Sequence, residues 1–251
     1  MRSVLLSELT WPDVRGLIDS GEIDTAVIAV GATEQHGPHL PLGTDSILAQ
    51  AIGELVTARL GRALLAPPIT IGCSDHHLAL AGTISLGQQT LAALLDDYVR
   101  SLTRHGFKNI VVVPTHGGNF NPLAQIVAQL LQSRPDANVV AYTDLEHFAT
   151  VLAEASAQFG ISPEASGLHS GELETSLVLA LRPELVRMDR ARTGYLGPAA
   201  EALPVFFQQG VAAVNREGVL GDPRQASPEQ GRAYLQHLVD DVVAYVTPRL
   251  R

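Results

Sequence analysis

TAVIAVGATEQHGPHLPLGTD, residues 25–45, joins an apolar run to a polar loop and a helix start. Its first six residues form an unbroken apolar, β-branched run, the pattern of a strand buried on both faces. A loop stiffened by glycine and proline follows, carrying Glu34, His36, His39 and Asp45. Thr44-Asp45 then opens a helix, with Leu48, Ala51, Ile52 and Leu55 recurring at helical spacing. A buried strand leads through a proton- and metal-capable loop into a helix, and a surface loop needs none of those groups.

The same alternation continues along the chain. Residues 63–66 read as a strand stopped by Pro67-Pro68, and residues 69–75 as a further short strand or an extended loop. Thr90 is placed to cap a helix with Leu91, Leu94, Leu95, Tyr98 and Leu102 on one face and Gly106 at its end. NIVVV, residues 109–113, is the clearest buried strand. Asn119 or Asn121, with Pro122 behind it, starts a helix that presents Leu123, Ile126, Val127 and Leu130. Residues 138–142 read as a strand, and Asp144 caps the helix after it. Residues 172–181 fit a strand or a helix, because SLVLAL has no decisive period. Residues 228–246 form a closing amphipathic helix, with Leu235, Leu238, Val239 and Val242 inward. Residues 194–221 are the least regular, a long loop with one short helix around residues 205–209. Strand–helix alternation at this spacing predicts an α/β fold, a mostly parallel sheet covered by helices on both faces. No repeat or linker interrupts it, so one domain over residues 1–251 is expected.

Composition narrows the function classes. The chain has 251 residues, 46% hydrophobic and 17% charged, enough for a substantial core. A net charge of −9 without a Lys/Arg cluster repels phosphate backbones, so no nucleic-acid partner is expected. Cys73 is the sole cysteine, which fits a reducing compartment. The N-terminal MRSVLLSELTWPD is interrupted by Ser7 and Glu8, unlike a signal peptide, and no apolar run approaches the ~20 residues of a membrane span. The expectation is a cytoplasmic protein without membrane attachment.

In an open parallel sheet, ligands sit just beyond the carboxyl ends of the strands. Three segments deliver acids and imidazoles there. TAVIAV leads to Glu34-Gln35-His36, ITIGC to Ser74-Asp75-His76-His77, and NIVVVP to Thr115-His116-Gly117-Gly118-Asn119. In extended backbone alternate side chains point the same way, so Glu34 and His36 can face one point. Asp45, at a helix start, is favoured as an anion by the helix dipole, and it also fits a plain N-cap role. Glu34, His36, Asp45 and His116 make a plausible set for Zn²⁺ or Mn²⁺. A bridging carboxylate can join ions ~3.5–4 Å apart into a clamp for hydrolysis. Against this stand structural readings, with Glu34 in an ion pair and His36 and His39 as packed histidines. Further on, LHSGELETS holds His169, Glu172 and Glu174, which can add a ligand and a proton carrier or simply be acids at a helix start. His105 and His237 read as surface residues, and His147 has no assigned role.

GATEQHGPHLPLGTD, SDHHLALAGTISL, THGGN and HSGELETS, in this order, resemble the creatininase family of creatinine amidohydrolase-like proteins. The resemblance implies a three-layer α/β/α fold, a homo-oligomer, commonly a hexamer, and a dinuclear Zn, Mn or Fe centre that hydrolyses C–N bonds of small amide substrates other than ordinary peptide bonds. It also implies family alternatives, deformylation of a formamide or removal of a C-terminal dipeptide from a precursor peptide. By motif, Glu34 and His116 would hold one ion, His36 and Glu174 the other, with Asp45 bridging. Glu174 is preferred to Glu172 because the family acid directly precedes Thr-Ser. His169 would carry a proton to the leaving nitrogen. Ser74 and His77 would lie in a substrate-facing loop, and Gly117-Gly118 would let backbone approach substrate. The chain departs from the family at His116-Gly117-Gly118, where creatininase resembles His-Tyr-Glu. Leu80-Ala81 stands where relatives often have Phe-Pro. Trp11, near the N-terminus, is the sole tryptophan, whereas creatininase uses tryptophans to wall creatinine's flat ring. These departures point away from creatinine as substrate.

Two other readings compete. Cys73, at a strand end with Asp75 and His76 or His77 nearby, could serve as a nucleophile, although a lone cysteine is more often a small buried hydrophobe. A non-catalytic metal- or nucleotide-binding assembly protein also fits an α/β fold, but no G-x-G-x-x-G or P-loop lysine follows a predicted strand.

Overall fold

The structure, a computed structural model, describes residues 3–251. Its centre is a four-stranded sheet in the order β2-β1-β3-β4, with β1 Thr25–Val30, β2 Ala63–Leu65, β3 Asn109–Pro114 and β4 Asn138–Ala141, all pairs parallel. Every residue of these strands is buried, as the unbroken apolar runs require. The helices are α1 Trp11–Asp19, α2 Thr44–Leu60, α3 Gln88–His105, α4 Phe120–Ser133, α5 Leu145–Ala157, α6 Pro163–Ser166, α7 Glu172–Leu181, α8 Ala199–Gln209, α9 Val211–Val214 and α10 Pro228–Val246.

Alternate strand residues feed two cores. Val27, Ala29, Val111, Val113 and Val140 pack against α2, α5, α7 and α10. Ala26, Ile28, Val30, Ile110 and Val112 pack against α3 and α4, with α1 at the margin. Helices thus cover both faces, giving the three-layer α/β/α architecture.

Several local expectations shift. The buried stripe of α2 is Leu48, Ala49, Ile52, Gly53 and Val56, and Leu55 is exposed, so the inward face lies one position off the expected one. Thr90 lies within the first turn of α3, whose N-cap is Gly87. Residues 69–75 contain no strand; Ile69 makes an isolated bridge to Val30 and the rest runs as a loop into a 3-10 turn, Asp75–His77. The ambiguous Glu172–Leu181 is helical because Leu173 and Leu177 dock on α10 beside Leu235 and Leu238. The irregular stretch 194–221 holds an eleven-residue helix, α8, longer than expected. Among the described residues no helix is long and apolar enough to cross a membrane.

Candidate metal centre

The carboxyl ends of β1 and β3 are tied together by Asn119. It stands at the α4 N-cap position but makes no capping bond. Its Nδ2 instead donates to the carbonyls of Val30 and Gly31 at 3.3 and 2.9 Å, and its Oδ1 accepts from the N–H of Cys73 at 3.0 Å. One amide thereby holds the ends of β1 and β3 and the 72–77 loop at one rim. Thr115 adds a bond from Oγ1 to the carbonyl of Asp45 at 2.8 Å, which joins β3 to the first turn of α2.

The side chains gathered there are buried. Glu34 and His36 have no exposed surface, Asp45 is 1% exposed and His116 4%. His116 Nδ1 lies 3.3 Å from Glu34 Oε1 and 3.4 Å from Asp45 Oδ2. His36 Nε2 lies 3.6 Å from Asp45 Oδ1 and 3.8 Å from Glu174 Oε2. Three candidate ligand groups result among the described residues: Glu34–Asp45–His116 and His36–Asp45–Glu174, which share Asp45 through different oxygens, and Glu34–His36–His169. Both imidazoles are held from behind. His36 Nδ1 is 3.1 Å from the Glu34 carbonyl and His116 Nε2 3.1 Å from the Cys73 carbonyl. An imidazole whose rear N–H donates to a carbonyl presents its other nitrogen to a metal.

The donor set fits divalent ions. Both oxygens of Glu34, Asp45 Oδ2 and His36 Nε2 are buried without a hydrogen-bond partner, which is costly unless a cation or proton satisfies them. Ligand atoms ~2.1 Å from an ion at tetrahedral angles stand ~3.4 Å apart, close to the spacings above. The charge balance agrees. Burial by itself would depress His36, but Asp45, Glu174 and Glu34 overcome it and hold the imidazole up at about 10. His116 is likewise raised against burial by Glu34 and Asp45. Burial opposes ionisation of Asp45, yet His36 and His116 keep its carboxyl well below the usual range. Glu174 is pushed up to about 7 by burial, with His36 opposing. The carboxylates draw positive charge into the rim.

His169 completes the floor, its Nδ1 3.9 Å from Glu34 Oε1 and 4.0 Å from Glu174 Oε2. Burial, then the charge on His36, holds it well below the ordinary histidine value, so it is neutral. Glu172 points elsewhere. It accepts from Ser176 Oγ at 2.6 Å and from Tyr234 Oη at 3.1 and 3.2 Å, a closed structural set. His77 Nε2 approaches Glu34 Oε1 to 3.2 Å. Ser74 lies behind the rim, its Oγ 3.4 Å from His116 Nε2, and does not line the cavity. Gly118 does line it, and a Cβ there would lie 2.4 Å from both His116 Nε2 and the Cys73 carbonyl, so the close fit is to the rear of the His116 ring. Gly117 has open space around it. His39 turns away to Thr175 Oγ1 at 3.0 Å. His147 binds Asp241 at 3.0 Å, away from the rim. Cys73 meets His116 through its carbonyl, and burial pushes its thiol up, the opposite of an activated nucleophile.

The rim opens on a cavity of about 350 Å³. Phe148 and Leu152 of α5, Leu168, Tyr195, and Phe206 and Phe207 of α8 form much of its wall. The irregular 194–221 stretch therefore supplies an aromatic side of the site. Trp11 is 81% exposed and takes no part.

A family model described as creatininase, creatinine amidohydrolase, matches residues 7–246. The chain belongs to the creatininase family. It is an amidohydrolase of that family, acting on carbon–nitrogen bonds. A mycofactocin precursor peptide peptidase of Mycobacterium ulcerans is 38% identical over 245 residues, covering 94% of this chain and 85% of that protein. The creatinine amidohydrolase of Pseudomonas putida is 29% identical over 254 residues, covering 96% and 95%. A solved structure described as creatininase Mn superposes with a TM-score of 0.83 at 28% identity, covering 99% of each chain. The creatininase fold is thus shared over the full described chain, and the candidate ligands lie at its strand ends.

Proposed function

We propose that this creatininase-family enzyme cleaves an amide bond in a peptide-derived substrate at a pair of divalent ions. The observation that carries the reading is the pair of buried ligand groups sharing Asp45 and opening on an apolar cavity. Glu34, Asp45 and His116 would hold one ion, and His36, Asp45 and Glu174 the other. Bound there, divalent ions supply ionised water near neutral pH and polarise the scissile carbonyl. His169, kept neutral by burial, accepts the proton of the attacking water on Nδ1. As the carbon–nitrogen bond breaks, the same nitrogen returns that proton to the departing amine. The largely apolar wall limits the bulk water that competes for these charges. Zinc and manganese both suit a carboxylate–imidazole set.

A peptide-derived substrate is favoured over creatinine on two grounds. The cavity is wider than a single small flat ring needs, and its wall is built by Phe148, Phe206 and Phe207 with no tryptophan. The relative at 38% identity is named for a precursor peptide, whereas the creatinine amidohydrolase stands at 29%. Incubating Mn²⁺- or Zn²⁺-loaded enzyme with creatinine and with peptides carrying apolar residues beside the cleaved amide, read by mass spectrometry, tests this. Cleavage of a peptide that stops on complete chelation and resumes on metal return is expected. Turnover of creatinine in preference to every peptide would overturn the substrate reading, and peptide cleavage without metal would overturn the mechanism. Homo-oligomer formation belongs to the same proposal. Exposed Leu78 and Ile84 beside the rim loops support it, and sedimentation velocity reads it.

A further inference from the structure

Gln35 stands between Glu34 and His36, and no step above uses it. Its side chain is buried and fully engaged. Oε1 accepts the N–H of Gly37 at 3.0 Å, while Nε2 lies 2.8 Å from His77 Nδ1 and 2.9 Å from His169 Nε2. The Gly37 contact fixes which way round the amide sits, because the flipped amide would set its own donors against a backbone N–H. The group facing both imidazoles is therefore an NH₂, which donates and cannot accept. The seat is close-fitting. A Cβ on Gly218, where φ is 74°, would stand 2.0 Å from Gln35 Oε1. The main chain is anchored as well, with the Gln35 N–H donating to Thr83 Oγ1 at 3.1 Å.

A donor held against Nδ1 leaves His77 its proton on Nε2. That nitrogen is 3.2 Å from Glu34 Oε1, without hydrogen-bond alignment, so the positive end of a neutral N–H dipole faces the carboxylate. His77 Nε2 thus stands beside a candidate metal ligand, and a protonated nitrogen cannot coordinate. His169 is treated differently by the same residue. Its Nε2 lies between the Gln35 amide, a donor, and the Gln35 carbonyl at 2.9 Å, an acceptor. The form with a bare Nδ1, which the proton transfer above uses, can therefore donate its Nε2–H to the Gln35 carbonyl before and after Nδ1 takes a proton.

We infer that Gln35 is a positioning residue which fixes His77 as the Nε2–H tautomer, keeping it out of the metal coordination sphere and in support of Glu34. The consequence for metal binding rests on the dinuclear reading above, whereas the tautomer does not. Histidine ¹⁵N NMR of the full chain, as purified and after chelation, reads the tautomer directly. The expected wild-type pattern is a protonated Nε2 and bare Nδ1 on His77, giving way to a tautomer mixture in Gln35→Leu. That variant should also bind Mn²⁺ about 10-fold more weakly by titration calorimetry. Gln35→Glu reverses the polarity. A carboxylate accepts from Nδ1–H, freeing Nε2, and the Co²⁺-substituted variant should show an altered d–d spectrum from an added nitrogen ligand. A wild-type His77 protonated on Nδ1, or a His77 pattern unmoved by Gln35→Leu, would overturn the inference, and the wild-type reading decides even if the variant fails to fold. Failure of the wild-type chain to take up any divalent ion would instead sink the metal reading and leave the tautomer result standing.

Discussion

At the amino ends of the strands Thr25, Asn109 and Asn138 stand side by side in register across β1, β3 and β4, all buried. Asn138 Nδ2 donates to Asn109 Oδ1 at 2.8 Å and to the Arg249 carbonyl at 2.9 Å, and Asn109 Nδ2 donates to Thr25 Oγ1 at 3.3 Å. Asn109 Oδ1 also accepts from the N–H of Arg251 at 2.9 Å, so the ladder clamps the C-terminal segment. At the carboxyl ends of the same sheet, Glu34, His36 and Asp45 are as deeply buried but keep polar atoms without partners. Neutral amides that satisfy one another stabilise, whereas unpaired carboxylates persist in a dry site only with a cation or proton beside them. The difference teaches that burial of polar groups does not mark function. Unsatisfied burial does, where several such atoms converge.

The largest test of that contrast is Asp45→Asn. The variant should lose both ions by elemental analysis and at least ~10³-fold in carbon–nitrogen hydrolysis, and the metal-free melting temperature near neutral pH should also fall, since His36 and His116 lose the carboxylate that pairs with them. Retention of both ions would break the comparison. Next comes Glu174→Gln, expected to weaken uptake of one ion at least ~100-fold and leave the other in place, as read by competition with a chelator. At the opposite end, Asn109→Ala should cost about 2 kcal/mol in urea unfolding with metal content and turnover per folded molecule unchanged. A drop in metal content there would show the two ends to be coupled.

Proton linkage gives a smaller, signed effect. In the metal-free protein His36 is raised to about 10 and His116 is also raised, so their stabilisation is full below pH ~6.5 and is lost as pH climbs toward 10. His39 and His76 are lowered to about 4, and His77 and His169 are lowered too, each by burial first. These must be neutral in the fold, so they destabilise it as pH falls below ~6.5. Glu174, raised to about 7, and Glu172, also raised by burial, oppose them on the acid side but are two groups against four. Metal-free stability is therefore expected to peak near pH ~6.5 in a melting series, and metal uptake should release protons and tighten with rising pH. A plateau through pH ~9 would show that His36 and His116 carry no extra proton. The smallest effect is expected of Glu172→Gln, about 1 kcal/mol from a polar set with Ser176 and Tyr234, with both ions retained. Together with Glu174→Gln it separates a structural acid from a ligand two residues away.

Much of this was legible in the chain. Six-residue apolar runs such as TAVIAV admit little except buried parallel strands, and the Glu34-x-His36 alternation follows from extended geometry whatever the partners. The family motifs singled out Glu174 over Glu172, and the geometry turns Glu174 toward His36 and Glu172 toward Tyr234. Other features left no local trace. Asn119 reads as an N-cap yet ties the rim, Ser74 reads as substrate-facing yet lies behind His116, and Gln35, given no role by the sequence, bridges two imidazoles. An available signal was the Asn and Gln beside called ligands, since an amide buried at such a place must find partners.

Local pattern was enough for the layers, the succession of strands and helices, and the loops that end at the rim, because hydrophobic period and chain-breaking residues act over a few neighbours. Packing settled which nitrogen of each imidazole faces the acids, that Asp45 offers different oxygens to His36 and His116, and that α8 walls the cavity. Those outcomes depend on directions and distances between residues more than a hundred positions apart, as between Gln35 and His169, and such directions exist only once the chain has packed.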